Sequence, residues 1–564
     1  MELIPINPVF PTANVVDSFS YQAKLQPKKP AIIYPELIDG KWIFKTISFA
    51  SLEEYVCQLC NGLSELGIGK GDKVLIMVPM SLHHYQLLLA IFKLGAIAVY
   101  IDPGMGLKAI EAAASVAEPK AYVGILKAQI LRFFSKSCAR IPIQIGKDCP
   151  QYLVQHDLAE LAINRKKTFT SAMVTTDDTA LITFTSGTTG LPKGANRTHG
   201  FLLAQNKALL GEANMFMTDV YMPAFPIVLL LNLSWGITSV IPNMNSAKPA
   251  SVDPSLVIQQ IKKCGANLAS GSPAYARPIA EYCKKHGIYL PELRNFWTGG
   301  APVSLKIIET LQGVMPSGNA VIIYGSTECE PISHIDAKDA FNPVLLKRAR
   351  RGKGNCVGVP ASCVELKIIG IDDGPIYPGK KRLATLEKKA FQPGEIVVTG
   401  EHVNKRYYKN PEAEKETKIK EIVKGAEKIW HRTGDVGYLD GQGRIWLLGR
   451  ISSRVQTKKG VFFTIEVENV MNSHPLVENS ALLAGNINRR GLAKAYMVIV
   501  LKRKFLWRWL WRRKVWKKML LKFIRSKGYP IEDIFYRLSL PMDKRHNAKI
   551  EYPVLKGQLT RYLR

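Results

Sequence analysis

Residues 180–200, ALITFTSGTTGLPKGANRTHG, constrain the chain more than any other stretch. Leu181, Ile182, Thr183 and Phe184 are apolar or β-branched and predict a buried strand. The strand empties into Thr185, Ser186, Gly187, Thr188, Thr189 and Gly190, none of them bulky, and Pro192-Lys193-Gly194 closes the stretch. Glycine lets backbone N–H groups approach an anion, hydroxyls donate further bonds, and a lysine neutralises charge. The stretch reads as a phosphate cradle at a strand end. It is not a Walker A loop, because Pro192 stands five residues after Gly187 and breaks that spacing. Surface loops also favour Gly, Ser and Thr, but a run of six directly behind a strand, closed by Pro-Lys-Gly, is a narrower pattern.

Around this stretch, strands and helices alternate. AIIY and KWIFKTISF flank an Asp39-Gly40 turn and predict a hairpin. Ser51 and Glu54 fit a capping box for a helix whose apolar face is Leu52, Tyr55, Val56, Leu59, Leu63 and Leu66. KVLIMV, a helix near 81–94 and AIAVYI follow, then a helix over 106–116 and AYVGIL. Such alternation predicts an α/β fold with a largely parallel sheet. From about 355 to 449, short β runs (CVELKIIGI, GEIVVTG, RIWLLG) predict a β-rich subdomain. Residues 455–564 carry apolar positions of their own, and 450–454 reads as a joint, so a large N-terminal domain (1–449) precedes a small α+β lid domain.

At 564 residues the chain has room for two to four domains. Its formal charge of +31 implies an acidic partner: a membrane surface, a nucleic acid or an anionic substrate. The nine cysteines are scattered; Cys57 and Cys60 fit helix packing, and a reducing, cytosolic compartment is expected. The first residues, MELIPINPVFPTANVV, lack a basic leader segment and do not read as a signal peptide. The apolar run 222–242 is long enough to span a bilayer, but prolines at both ends predict buried core instead.

Further Gly-rich turns follow later strands. Trp297-Thr298-Gly299-Gly300-Ala301-Pro302 and Tyr324-Gly325-Ser326-Thr327-Glu328 each read as a strand end before a helix, where parallel sheets bind ligands. Glu328 adds a carboxylate suited to magnesium. Asp435, in HRTGD, is placed to accept bonds from ribose hydroxyls, and Gly449-Arg450 closes a β run. Singly these are ordinary turns; their joint occurrence in this order carries the argument.

In these motifs the chain resembles the adenylate-forming superfamily of acyl- and aryl-CoA synthetases, nonribosomal-peptide adenylation domains and luciferases. The resemblance covers about residue 20 to the C-terminus and rests on residues 183–194, WTGGAPV (297–303), YGSTE (324–328), GEIVVTG (394–400), HRTGDVGYLD (431–440), LLGR (447–450) and RHNAKIEY (545–552). It implies ATP and Mg²⁺ as cofactors and a carboxylic acid as substrate. Residues 185–190 with Lys193 would grip the β- and γ-phosphates. Gly299, Gly300 and Ala301 would line the adenine pocket, with Tyr324 and Gly325 beside them and Tyr324 stacked on the base. Thr327 would contact the α-phosphate, Glu328 would ligate magnesium, and Asp435 would hold the ribose with Arg450 beside it. Lys549 matches the lysine that the small domain inserts during adenylation. A catalytically silent relative would not be expected to keep Lys193, Glu328, Asp435 and Lys549 together.

Three positions depart from that pattern. Ser452 replaces the hinge aspartate, Val461 stands at the usual arginine, and Ala548 precedes Lys549 in place of glycine. The first two put thiolation by CoA in question. RHNAKI, AFPIVLLLNLSWG (224–236) and IPNMN (241–245) are similar to the β-lactone synthetases of bacterial olefin biosynthesis. That similarity implies a long-chain or 3-hydroxy fatty acid whose own hydroxyl displaces AMP. A fatty-acyl-CoA ligase is the alternative, so CoA stays open. Finally, residues 502–527 carry twelve Lys/Arg, no acid and four tryptophans. They read either as one strand and one helix with a solvated basic face, or as a contact with an anionic membrane surface. Nothing there matches a nucleic-acid module.

Overall fold

The computed structural model describes residues 5–186, 192–377, 383–543 and 549–563. Two large sheets form its centre. The seven-stranded sheet runs, in spatial order, His156–Asp157, Ile143–Lys147, Ala121–Ile125, Lys73–Met77, Ile97–Ile101, Thr179–Ser186 and Pro192–Thr198. All neighbours are parallel except the last pair. The nine-stranded sheet orders Val359–Pro360, Cys329–Asp336, Asn319–Ser326, Asn295–Gly299, Leu268–Gly271, Val220–Pro223, Thr238–Val240, Pro30–Ile38 and Lys41–Ser48. Its last two strands are the expected hairpin, closed by Asp39 and Gly40 at φ 49° and 73°, the paired positive values a two-residue hairpin needs.

The two sheets share one core. Val74, Ala98 and Ala121 from the first, and Ala31, Ile32 and Ile241 beside the second, pack with Leu87, Leu229 and Leu230. Those leucines belong to helices Leu82–Lys93 and Pro226–Trp235. The apolar run 222–242 is thus a strand end, a helix and a short strand, largely buried. Pro226 opens that helix and Gly236, at φ 74°, closes it. Among the described residues no helix is long and apolar enough to cross a membrane.

The first long helix is Phe49–Glu65, one turn earlier than the Ser51–Glu54 capping box predicts. Its cap is Ser48, whose hydroxyl accepts from the Ser51 amide at 3.1 Å, and Phe49, fully buried, anchors the added turn. Cys57 and Cys60 pack on this helix's inner side, where burial pushes the Cys57 thiol up to about 11.

A six-stranded sheet, antiparallel in every pairing, follows from Asn355, with Ala426–Leu439 as its longest strand. The turn Ile451–Ser453 ends it. A hairpin (Val455–Thr457 with Gly460–Phe462) then leads to a three-stranded sheet of Val477–Ala484, Ala495–Leu501 and Ile531–Arg537. This smaller domain has its own core, including Val467, Met497, Leu520 and Ile524. It touches the larger one through Asn469–Asn355 at 2.8 Å and Lys306–Glu478 at 3.5 Å.

Buried Glu468 ties three elements of the smaller domain together. Its Oε1 accepts from the Leu482 amide (2.9 Å) and the Tyr552 hydroxyl (2.8 Å). Burial pushes its carboxyl up to about 8, above the ordinary unfolded value. The folded domain therefore holds a proton that the unfolded chain has lost between these two values. Stability falls as pH rises through that window, by about 2 kcal/mol from pH 6 to pH 8. Urea unfolding at the two pH values should show this decline, and Glu468→Gln, which keeps the acceptor oxygen, should flatten it.

Candidate active site

Gly299 and Ile323 face each other across the parallel strands Asn295–Gly299 and Asn319–Ser326. A Cβ on Gly299 would lie 2.4 Å from the Ile323 carbonyl oxygen, so only glycine lets the strands approach there. Gly300 follows at φ 75°, and Ala301 continues the turn. This end of the sheet matches the sequence expectation.

The second turn does not. Beyond Thr327-Glu328 the chain returns as the antiparallel strand Cys329–Asp336, not as a helix. Ser326 pairs with Cys329, leaving Thr327 and Glu328 at a two-residue tip. The Glu328 amide donates to Ser326 Oγ at 3.2 Å, and a Cβ on Gly325 would come within 2.9 Å of the Cys329 carbonyl oxygen. The tip is held from outside as well: Arg197 Nη2 donates to the Thr327 carbonyl at 2.9 Å, and the Asn404 amide to the Glu328 carbonyl at 2.7 Å.

Glu328 is the centre of a buried polar group. Its Oε1 accepts from the Tyr407 hydroxyl at 2.8 Å. Lys418 lies buried nearby, bonded to the Asn404 carbonyl and, at 3.2 Å, to His431 Nδ1. Burial brings Lys418 down to about 8 and His431 down to about 3, so His431 is neutral at pH 7. Burial alone would raise the Glu328 carboxyl; its polar surroundings outweigh this and hold it below the ordinary range. With His431 neutral, the Lys418 cation and the Tyr407 bond carry that effect.

Asp435 sits opposite Arg450, within the long strand Ala426–Leu439 rather than in a terminal turn. The strand absorbs the Gly434 turn signal as a local irregularity at φ 69°. Tyr324 donates its hydroxyl to Asp435 Oδ2 at 2.7 Å, and Arg450 Nη1 lies 3.0 Å from Oδ1. Both carboxylate oxygens are thus held. Burial, with Asp435 beside it, drives the Tyr324 hydroxyl far above its ordinary range, so it stays a donor.

The opening stretch forms an antiparallel hairpin of Thr179–Ser186 and Pro192–Thr198. Gly187, Thr188, Thr189 and Gly190, predicted to be the cradle itself, lie outside the described residues, as do residues 545–548. Thr185 pairs with Lys193, whose Nζ is 3.2 Å from Glu416 Oε2. The segment 403–408 stitches the hairpin to the rest. Tyr408 donates to the Gly194 carbonyl at 2.8 Å, Asn404 to the Asn196 carbonyl at 2.7 Å, and Val403 bridges to Cys329.

The structure therefore gathers Thr185, Lys193, Thr327, Glu328, Tyr324, Asp435 and Arg450 where three sheets meet. Lys549 belongs to the smaller domain, exposed beside Asp543, with paired backbone bonds of 2.8 Å in each direction between their main-chain and carboxylate groups. Sequence reading missed Arg197, Asn404, Tyr407 and Lys418, and used HRTGD only for its aspartate. Lys418 faces His431 across a strand pair, a relation that no local spacing announces. A cavity of about 820 Å³ lies toward the start of the central strands, around Asn295, Asn319 and His334, away from these turns.

A set of cations (Lys193, Arg197, Lys418, Arg450) around two ionisable carboxylates suits a polyanion bound together with a metal ion. The model of the family described as AMP-binding enzyme matches residues 19–408. An olefin beta-lactone synthetase from Xanthomonas campestris pv. campestris is 34% identical over 449 residues, 78% of this chain and 78% of that protein. One from Stenotrophomonas maltophilia is 33% identical over 448 residues, with the same coverage. The solved O-succinylbenzoate coenzyme A synthetase of Bacillus subtilis, in complex with ATP and magnesium ion, superposes with a TM-score of 0.71 at 21% identity. That match covers 96% of this chain and 99% of the other. This chain belongs to the AMP-binding enzyme family and is an AMP-forming ligase.

Proposed function

We propose that this ligase activates a long-chain 3-hydroxy carboxylic acid as its acyl-adenylate and then closes the acyl group to a β-lactone. The observation that carries adenylation is the convergence of Tyr324, Glu328, Asp435 and Arg450 at one end of the sheets, with Lys193 nearby. The likeness to two olefin beta-lactone synthetases over more than three quarters of the chain supports the second step.

In this reading Asp435, oriented by Tyr324 and Arg450, accepts the ribose hydroxyls. Gly299, Gly300 and Ala301 leave a flat floor for the base. A carboxylate oxygen of the acid attacks the α-phosphorus, the bond to the pyrophosphate oxygen breaks, and pyrophosphate leaves with that electron pair. Lys193 and the hydroxyl-rich stretch 185–190 neutralise the departing charge, and Thr327 meets the α-phosphate. Glu328 would hold Mg²⁺; one ionised carboxylate is a donor set this ion accepts when phosphates and water complete its shell. When bound, the ion neutralises phosphate charge. Residues 450–454 serve as hinge, and the smaller domain carries Lys549 to the same anionic transition state.

In the second step the 3-hydroxyl oxygen attacks the activated carbonyl carbon. The bond from that carbon to the phosphate oxygen breaks, AMP leaves, and the hydroxyl proton passes to solvent. No thiol is consumed, in keeping with Ser452 and Val461 at positions where the wider superfamily carries Asp and Arg.

Product analysis by mass spectrometry tests this directly, using plain and 3-hydroxy fatty acids with ATP and Mg²⁺, with and without CoA. The expected product is the hydroxy acid minus one water, formed without CoA. A CoA thioester, or activation that ends only in free acid, would overturn lactone closure.

A further inference from the structure

The basic, tryptophan-rich stretch is a single helix, Leu506–Ser526, after a strand that ends at Leu501. It is helical from its start, rather than a strand followed by a helix. One side belongs to the smaller domain's core: Trp516, Leu520 and Ile524 are buried, and Trp509 stacks edge-on to Tyr536 at 5.6 Å. The opposite side has no such account. Trp507 is 74% exposed and Trp511 86% exposed, and Val515 and Met519 follow on the same spacing, also exposed. Residues four apart on a helix drift only slightly around its axis, so these four make one continuous apolar stripe.

Charge frames that stripe. Arg508, Arg512, Lys514, Lys518 and Lys522 are all exposed on the same helix. Lys517, on the inner flank, is paired with Asp533 at 2.6 Å, and Arg525 donates to the carbonyls of Ile531 and Glu532. No acidic residue occurs between Lys502 and Pro530. A core helix gains nothing from two tryptophans held in water, and exposed apolar stripes of this kind mark contact surfaces. The ring of cations excludes a basic or neutral partner and matches an anionic one.

We infer that this helix docks the protein on anionic lipid bilayers, with Trp507, Trp511, Val515 and Met519 entering the headgroup layer and the flanking Lys/Arg meeting lipid phosphates. Indole rings favour that interfacial depth, and basic side chains gain from the negative surface potential. A duplex nucleic acid would use the cations but leave the stripe in water. A second copy of the chain would bring like charges together.

Vesicle co-sedimentation with full-length protein decides among these. Phosphatidylcholine vesicles containing phosphatidylserine should bind, and pure phosphatidylcholine should bind at least about tenfold more weakly. The double variant Trp507→Ala/Trp511→Ala should lose about tenfold in affinity for the anionic vesicles. Lys514→Gln/Lys518→Gln/Lys522→Gln should lose a similar factor and flatten the salt dependence. Both variants should keep wild-type circular dichroism and wild-type ATP–pyrophosphate exchange with a long-chain 3-hydroxy acid supplied in solution without vesicles, because neither touches the catalytic site. Vesicle binding unchanged by the tryptophan variant would overturn the proposal. So would duplex DNA binding tighter than anionic vesicles, or a wild-type dimer that the tryptophan variant dissolves.

Discussion

Glu328→Gln should lower acid-dependent ATP–pyrophosphate exchange by about 10²–10³-fold, the loss typical of removing one group preplaced against transition-state charge. The substitution is nearly isosteric, and the amide oxygen can still accept from the Tyr407 hydroxyl, so the turn Thr327-Glu328 keeps its place. What disappears is the anion. Lys418 then remains buried beside a neutral His431 without the carboxylate that offset it, an arrangement costing about 1–3 kcal/mol of stability. Adding Lys418→Met to Glu328→Gln should restore stability but not exchange. Recovery of both would mean that Glu328 serves the fold and not the reaction.

Lys549→Ala should cost a similar factor of about 10²–10³ in exchange, for a different reason. The Lys549 main chain is anchored to Asp543 through its own N–H and C=O groups, and Met542 bridges to Ile550. Removing the side chain leaves that pairing intact, so the variant should fold and bind ATP normally. Supplied with pre-formed acyl-adenylate, it should release AMP within about threefold of the wild-type rate, because the charge that Lys549 meets is gone by then. Equal losses in both half-reactions would contradict a role confined to adenylation.

Much of this architecture was legible because it is local. Strand–helix alternation through residues 73–125 marks the parallel sheet, and Asp39-Gly40 closes a hairpin by its own backbone preference. Gly299 and Gly300 stood out as a Gly-rich turn behind a strand, and each is required locally, Gly299 by the close approach to Ile323 and Gly300 by its φ of 75°. The failures also have physical causes. The turn at Tyr324–Glu328 reads as a strand end before a helix, yet Cys329–Asp336 pairs back on the preceding strand, and only that pairing turns Thr327-Glu328 into a hairpin tip. Gly434 signals a turn, but the long strand takes it in as an irregularity that aims Asp435 at Tyr324 and Arg450. In 502–527 the second half is legible as a helix, with Leu520 and Ile524 buried as its inner face, but the first half, expected as a strand, joins the same helix from Leu506. Lys418, Tyr407 and Arg197 come from separate strands and segments and meet only when the sheets close.

The central claim is that the residues gathered around Glu328 and Asp435 adenylate a carboxylic acid. ATP–pyrophosphate exchange by the purified full-length protein, with Mg²⁺ and a series of plain and 3-hydroxy fatty acids, measures that reaction alone. The predicted result is exchange that appears only when a long-chain acid is added, is strongest with the 3-hydroxy acid, and does not need CoA. Absence of exchange with every acid, from protein shown to bind ATP, would contradict it.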